Sequence, residues 1–366
     1  MYPIRILIRQ PLRSLLTVGG IALCFVLMLF LLSIYRAVSD GSVEYIRQSK
    51  ADLWVIQSSA TNILRGSSIL STAHGSLVRE TRGVAEASPV LLILTTLWRG
   101  EEPATVFLAG FDAAAGVGGP PRIVAGGNVR TDDELVLDRS FAAKYGIRVG
   151  DVVRLQNDSL RVCGLSEGTN AFVIQYGFAT LRRTQALIGV PSIVTGYLVR
   201  CNPGVNVDSV RRSIAEEIPG VAVYDHETFL RNNIHEMESG LMPILYAIAA
   251  IGGIVLGTIL ILLLSVIILE SRRDFAVMRA IGAPSSHLAG IIHAQALLLS
   301  LAGIAVAVTA FPFLAQLIEL LSPEVSVHGS MLQAAEVSTV VLGITLFSGW
   351  IAMRRIRSIY PMEAFS

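Results

Sequence analysis

Residues able to do acid–base, nucleophilic or metal chemistry are sparse in this 366-residue chain, and their spacing excludes more than it offers. The two lysines are Lys50, followed by Ala51, and Lys144, followed by Tyr145. A P-loop needs Gly before its lysine and Ser or Thr after it, because lysine and loop amides together hold the phosphates. The chain therefore cannot be a P-loop ATPase by itself. No H-E-x-x-H, G-x-S-x-G or paired C-x-x-C occurs, so zinc-protease, serine-hydrolase and zinc-finger chemistries lack their starting residues. The histidines, His74, His226, His235, His287, His293 and His328, are scattered; His287 and His293, six apart, fall on different sides of a helix. An enzyme would need a compact constellation that is not there.

The segment from Glu270 to Pro284 carries the strongest local pattern. As a helix it places Phe275, Met278 and Ile281 on one side and Arg272 with Arg279 on the neighbouring side. Gly282 suits a left-handed C-cap, and Pro284 stops continuation. Two partners could cover such a ridge: a bilayer surface, with the arginines on lipid phosphate, or a groove on a soluble protein.

These residues are positioned by unusually apolar surroundings. Hydrophobic residues make up 52% of the chain and charged ones only 16%, with mean hydropathy +0.61, where soluble domains carry about 25% charged residues. A net charge of +1 gives no footing for nucleic-acid binding. Leu15 to Tyr35 holds no charge and as a helix would cover about 31 Å, a bilayer's hydrocarbon core. The run outlasts the apolar region of a cleaved leader, so it reads as a span. Leu241 to Leu269 is longer than a bilayer needs, and should tilt or project at its outer end. A third apolar run starts at Leu288 and meets Phe311 and Pro312, where proline favours a kink or an ending. The fourth, Val337 to Met353, is short, and Arg354 can snorkel to complete it.

Arginines set the orientation. Arg5, Arg9 and Arg13 precede the first span, Arg272, Arg273 and Arg279 lie between the second and third, and Arg354, Arg355 and Arg357 follow the fourth. The connection between spans three and four has Glu319, Glu324 and Glu336 and no basic residue. By the positive-inside rule both termini are cytoplasmic. The expected division is a cytoplasmic segment 1–14, helix 1 at 15–35, an extracytoplasmic domain 36–240, helix 2 at 241–269, a cytoplasmic loop 270–287, helix 3 at 288–312, an outer loop 313–336, helix 4 at 337–353 and a cytoplasmic tail 354–366. The fold class is an α+β membrane protein, four transmembrane helices with a large mixed α/β extracytoplasmic domain between helices 1 and 2.

That domain should hold strands at Leu53–Gln57, Val90–Leu97, Thr105–Ala109, Glu134–Leu137, Val152–Leu155 and Gly196–Val199. Leu77 to Val84 is echoed by Ile214 to Val221, each a helix, a Gly-Val turn and a strand; two helix-on-sheet units or chance similarity account for it equally. The glycines between Gly116 and Gly127 read as loop. Cys163 and Cys201 would share an oxidising compartment, so a disulfide between them and two small buried hydrophobes are both open. Cys24, mid-span, reads as packing. Met28, Tyr35, Met242 and Tyr246, near the outer ends of helices 1 and 2, offer soft and aromatic groups compatible with haem, lipid or other hydrophobic cargo at a dimer interface, against a plainer role as packing and interface-belt residues.

The segment ESRRDFAVMRAIGAPSSHL resembles the coupling loop of the FtsX/MacB-type ABC transporter permeases. SIYPMEAF is similar to their closing D-P-x-E-A-[LF], with Tyr360 where an acidic residue is common; DELVLDRSFAAKYGIRVGDVVRL, Asp133 to Leu155, resembles their outer-domain segment. ADLWVIQSSATN, Ala51 to Asn62, and LAGFD, Leu108 to Asp112, look closest to the DevC and HrtB branch, which includes glycolipid-export and haem-export permeases. The resemblance implies a homodimeric type VII permease in the cytoplasmic membrane. It implies a separate cytoplasmic ATPase subunit holding ATP and magnesium, docked on Arg272, Arg273, Phe275, Met278, Arg279, Ile281 and Gly282. It also implies an outer domain driven by mechanotransmission. The chain then binds no cofactor of its own; haem counts among candidate substrates, and lipid and a periplasmic adaptor among candidate partners. The FtsX branch offers the alternative, a non-transporting subunit that signals to a cell-wall hydrolase.

Overall fold

The helix that starts in the first apolar run does not stop at Tyr35. In the computed structural model, which describes residues 11–63, 68–115, 117–171, 174–270, 277–278, 281–321 and 329–356, α1 spans Pro11–Arg47. There follow β1 Leu53–Gln57, β2 Leu70–Ser71, α2 His74–Glu80, β3 Val84–Arg99, β4 Glu102–Phe111, β5 Ile123–Gly126 and β6 Glu134–Asp138. Next come α3 Arg139–Lys144, β7 Val152–Leu155, β8 Asp158–Ser166, β9 Asn170–Ala171, β10 Ile174–Thr180 and α4 Leu181–Ile188. The rest is β11 Ile193–Val194, β12 Gly196–Cys201, α5 Val207–Glu217, β13 Val221–Asp225, α6 His226–Glu270, α7 Ser285–Leu321 and α8 Met331–Ile356. Two units separate: residues 1–35, 242–318 and 327–366 form one, and residues 36–241 with 319–326 the other.

In the helical unit, four helices among the described residues are long and apolar enough to cross a membrane: Ser14–Ala37, Met242–Glu270, Ser286–Ile318 and Met331–Ala352. The third corrects the expected ending at Pro312, since α7 continues through that proline. One lost backbone bond costs less than ending a helix in hydrocarbon, where every freed carbonyl lacks water. The fourth starts at Met331 rather than 337, because Ser330 and Gln333 close a capping box: Ser330 N–H donates to Gln333 Oε1 at 2.8 Å and Gln333 N–H to Ser330 Oγ at 3.2 Å. Most of the expected 313–336 loop is thus helix.

Small residues let these helices approach. Gly253 and Gly257, four apart on α6, face Ile344 of α8, and Ser348 Oγ donates to the Gly257 carbonyl at 3.4 Å. Ser300 of α7 and Thr345 of α8 share a buried hydroxyl bond of 2.7 Å. A Cβ on Gly303 would collide with Ile21, so glycine permits the contact of α7 with α1. At the other end of the bundle, Leu264, Ile268, Leu288, Ile292 and Ala352 form a buried cluster.

The α/β unit is built on a mixed sheet in the order β13-β1-β12-β3-β4-β10-β6-β8-β5. β3 and β4 make a long antiparallel hairpin, whereas β10 runs parallel to β4 and β8 parallel to β6. The run Leu-Trp-Val-Ile in β1 is continuously apolar because both its faces are buried: Leu53 and Val55 enter one core, Trp54 and Ile56 the other. The first core lies under α2 and α5, with Val78, Val210 and Ile214. The second gathers Tyr45 from the end of α1, Tyr176, Phe178 and Phe229; Tyr45 stacks on Tyr176 with centroids 5.1 Å apart and Trp54 on Phe229 at 4.7 Å. All six expected strands are present, most of them longer. The echoing segments form α2-β3 and α5-β13, each turning through a left-handed glycine, Gly83 at φ +97° and Gly220 at φ +81°.

The cysteines are free thiols, and Cys163 and Cys201 pack against different cores, which decides against a disulfide between them. Burial, with Glu134 nearby, pushes the Cys163 thiol up to about 11; burial, with Asp52 nearby, raises that of Cys201.

Candidate functional site

Two places hold the residues that the sequence singles out. At the first, Arg272, Arg273, Phe275 and Arg279 lie outside the described residues, while Val277 and Met278 are helical and Gly282 sits at φ +93°. Ala283 N–H donates to the Met278 carbonyl at 2.9 Å across Gly282, the six-to-one bond of a Schellman C-cap. Met278 and Ala283 both pack on the cluster around Ile268 and Leu288. Ile281 points away, 81% exposed. The two described members of the expected ridge therefore differ: Met278 packs on the membrane bundle, and Ile281 is exposed.

At the second, Met28, Tyr35, Met242 and Tyr246 line one cavity of about 530 Å³. Helical spacing explains why. Met28, Leu31, Leu32 and Tyr35 share a face of α1, and Met242, Leu245, Tyr246, Ala249 and Gly253 share a face of α6. The sequence reading places these residues at an interface between two copies of spans one and two. Within one chain they already line a common wall, and α8 supplies the rest of it with Glu336, Val337, Val340 and Ile344. A Cβ on Gly253 would lie 3.4 Å from Ile344 Cδ1 and 3.8 Å from Met28 Cε, so those three meet at one end of the cavity.

Glu336 is the residue that sequence reasoning missed. An uncharged-run criterion places the start of span four after it, whereas the capping box at Ser330 and Gln333 starts the helix before it. Its acidic side chain thus joins a lining otherwise made of aliphatic, thioether and phenol groups. Such a volume falls in the usual range for small-molecule sites, about 300 to 1,000 Å³.

Both halves of this architecture match known families. The MacB-like periplasmic core domain matches residues 14–217 and the FtsX-like permease C-terminal domain residues 246–361. The chain belongs to the FtsX/MacB-type ABC transporter permeases. An uncharacterised ABC transporter permease of Mycobacterium tuberculosis is 24% identical over 360 residues, 96% of this chain and 95% of the relative. Another, of Mycobacterium bovis, is 23% identical over 356 residues, with the same coverage. Among solved structures, the periplasmic region of MacB from Actinobacillus actinomycetemcomitans has a TM-score of 0.41 at 15% identity, over 51% of this chain and 94% of that one, too weak a likeness to add to the assignment. This permease is a multi-pass membrane protein with a periplasmic domain, and as an ABC permease it implies a partner ATPase.

Proposed function

We propose that this permease exports a hydrophobic or amphipathic substrate, of the haem, lipid, drug or peptide kind. It works as a homodimer in the cytoplasmic membrane with both termini inside. A separate ATPase docks on the loop between α6 and α7, with Ile281 as an apolar contact and Arg272, Arg273 and Arg279 pairing with an acidic rim. ATP hydrolysis there moves the periplasmic domain. Unbroken helices support this transmission, since α1 extends ten residues beyond Ala37 and α6 begins sixteen before Met242, and a helix carries displacement along its axis better than a loop. A periplasmic adaptor would be recruited by the same domain, and lipid covers the outward faces of the spans. The cavity lined by Met28, Tyr35, Met242 and Tyr246 carries the export reading.

The test is reconstitution of permease and cognate ATPase in nanodiscs. Expected is ATPase turnover stimulated by an amphipathic compound and lost when Tyr246 and Met242 are both changed to Ala. Stimulation only by a cell-wall hydrolase would overturn export in favour of an FtsX-like signalling subunit.

A further inference from the structure

We propose that Gln295 and Ser348 are the two halves of a latch inside the membrane bundle. In this arrangement the Ser348 hydroxyl is held by α6, and in a second arrangement it pairs with the Gln295 amide of α7. The latch goes beyond the export reading and rests on ATPase coupling only for the ATP-dependent arm of its test.

Gln295 is the group that calls for a second arrangement. It is fully buried, and among the described residues neither its Oε1 nor its Nε2 has a hydrogen-bond partner. It follows Leu288 by seven residues and Ile292 by three, so it shares their stripe on α7. Leu288 and Ile292 pack in one cluster with Leu264 and Ile268 of α6 and Ala352 of α8. An amide buried among aliphatic side chains without a partner is unfavourable, and the surrounding hydrocarbon has no water to relieve it. Such a group opposes the arrangement that strands it and favours one that pairs it.

Register names the partner. α7 and α8 run antiparallel and meet at two levels: Ser300 shares its hydroxyl bond with Thr345, and a Cβ on Gly349 would lie 3.3 Å from His293 Nε2. Gln295 stands between those levels, and interpolating along α8 puts Ser348 opposite it. Ser348 is fully buried too, and its Oγ donates to the Gly257 carbonyl of α6 over 3.4 Å, long for a hydroxyl bond. Thr345 faces α7 and Ser348, three residues on, faces α6. Three residues are about 60° apart around a helix, so a turn of α8 of that order carries Ser348 from the carbonyl to the amide. A hydroxyl and a carboxamide can each donate and accept, so the pair is satisfied either way.

The experiment uses full-length permease in nanodiscs, alone and with its ATPase. Gln295→Met keeps length and shape without the amide. It should raise the melting temperature of the permease alone, because no polar group is stranded. It should also slow ATP turnover about threefold, which corresponds to about 0.6 kcal/mol, because the second arrangement loses its bond. Gln295→Met combined with Ser348→Ala should turn over no slower than Ser348→Ala alone, since a single bond is lost. A trap reports the approach directly. In a chain with Cys24→Ala, Cys163→Ala and Cys201→Ala, the pair Gln295→Cys and Ser348→Cys should form a disulfide under mild oxidant, about tenfold faster during ATP turnover. A lower melting temperature for Gln295→Met, losses of turnover that multiply in the double variant, or no crosslink under any condition would overturn the latch. Crosslinking at one rate with or without turnover, and turnover indifferent to Gln295→Met, would leave the latch standing and sink its coupling to the ATPase.

Discussion

Ala283 N–H donates to the carbonyl of Met278 over 2.9 Å, and that bond folds the chain back over Gly282 at φ +93°. It turns Met278 into the bundle and leaves Ile281 outside. Burying an isoleucine against a partner is worth about 1.5 to 3 kcal/mol, so Ile281→Asp with Arg279→Glu should abolish copurification of the ATPase with a tagged permease while membrane insertion is kept. Met278→Ala should instead lower the permease's own melting temperature and leave ATPase yield per folded permease unchanged. Wild-type ATPase yield with the Ile281 and Arg279 pair changed would refute the docking assignment.

Asp138 caps α3 from a buried position, 2% exposed. Its carboxylate accepts the N–H groups of Ser140 at 2.8 Å and Phe141 at 3.4 Å, and the Thr169 hydroxyl at 2.7 Å, which itself bonds Ser166 at 2.8 Å. Asp138→Ala loses the cap and strands a buried hydroxyl, together about 2 to 4 kcal/mol. Asp138→Asn should cost under about 1 kcal/mol, because its amide can donate to Thr169, which then donates to Ser166 and on to the Leu137 carbonyl. Thermal unfolding followed by tryptophan fluorescence distinguishes them; an equal loss for both variants would refute the relay.

Asp138 also marks how far the sequence was readable. The capped segment from Asp133 to Leu155 stood out by its residues, as did β1, whose four apolar residues leave no polar face. β8 and β10 did not, because Gly164 and Gly177 sit inside them. A glycine alone reads as a turn, but here each admits a neighbour: Gly164 the carbonyl of Gly127, and Gly177 the side chains of Val106 and Leu137. The Tyr45, Trp54 and Tyr176 cluster joins residues more than a hundred positions apart, which no local pattern encodes. Of the cavity, the thioether and phenol residues were legible by type and depth, while Glu336 was hidden by its own charge.

Cys163 should be a poor nucleophile. A thiol pushed from 9.0 to about 11 holds about a hundredfold less thiolate at pH 8. In a variant keeping only Cys163, iodoacetamide labelling should be correspondingly slow and should rise about tenfold per pH unit until near 11. Because the protonated thiol is favoured by the fold, its stabilising contribution is intact below 9.0 and is lost as pH rises through about 11. Mass spectrometry of the denatured, unreduced native chain should find all three cysteines alkylated. Labelling at the rate of a free cysteine at pH 8, or a mass deficit of one disulfide, would contradict the packing.

Gly83 and Gly220 occupy equivalent turns in the two echoing segments, yet their surroundings differ. Both have positive φ, so an alanine at either pays about 1 to 2 kcal/mol for the left-handed backbone. A Cβ on Gly83 would also come within 2.7 Å of Val210 Cγ2 and 3.1 Å of Val205 Cγ1, whereas one on Gly220 meets nothing within 4 Å. Overpacking adds about 1 to 3 kcal/mol. Gly83→Ala should therefore melt below Gly220→Ala by several degrees, at about 2 to 4 °C per kcal/mol for a domain of this size. In a Val210→Ala background, Gly83→Ala should lower the melting temperature by less than it does in the native chain, since the collision is removed while the backbone cost stays. Equal melting temperatures for the two single variants would mean that α5 does not rest on the Gly83 turn, and that the resemblance between the two segments stops at their sequences.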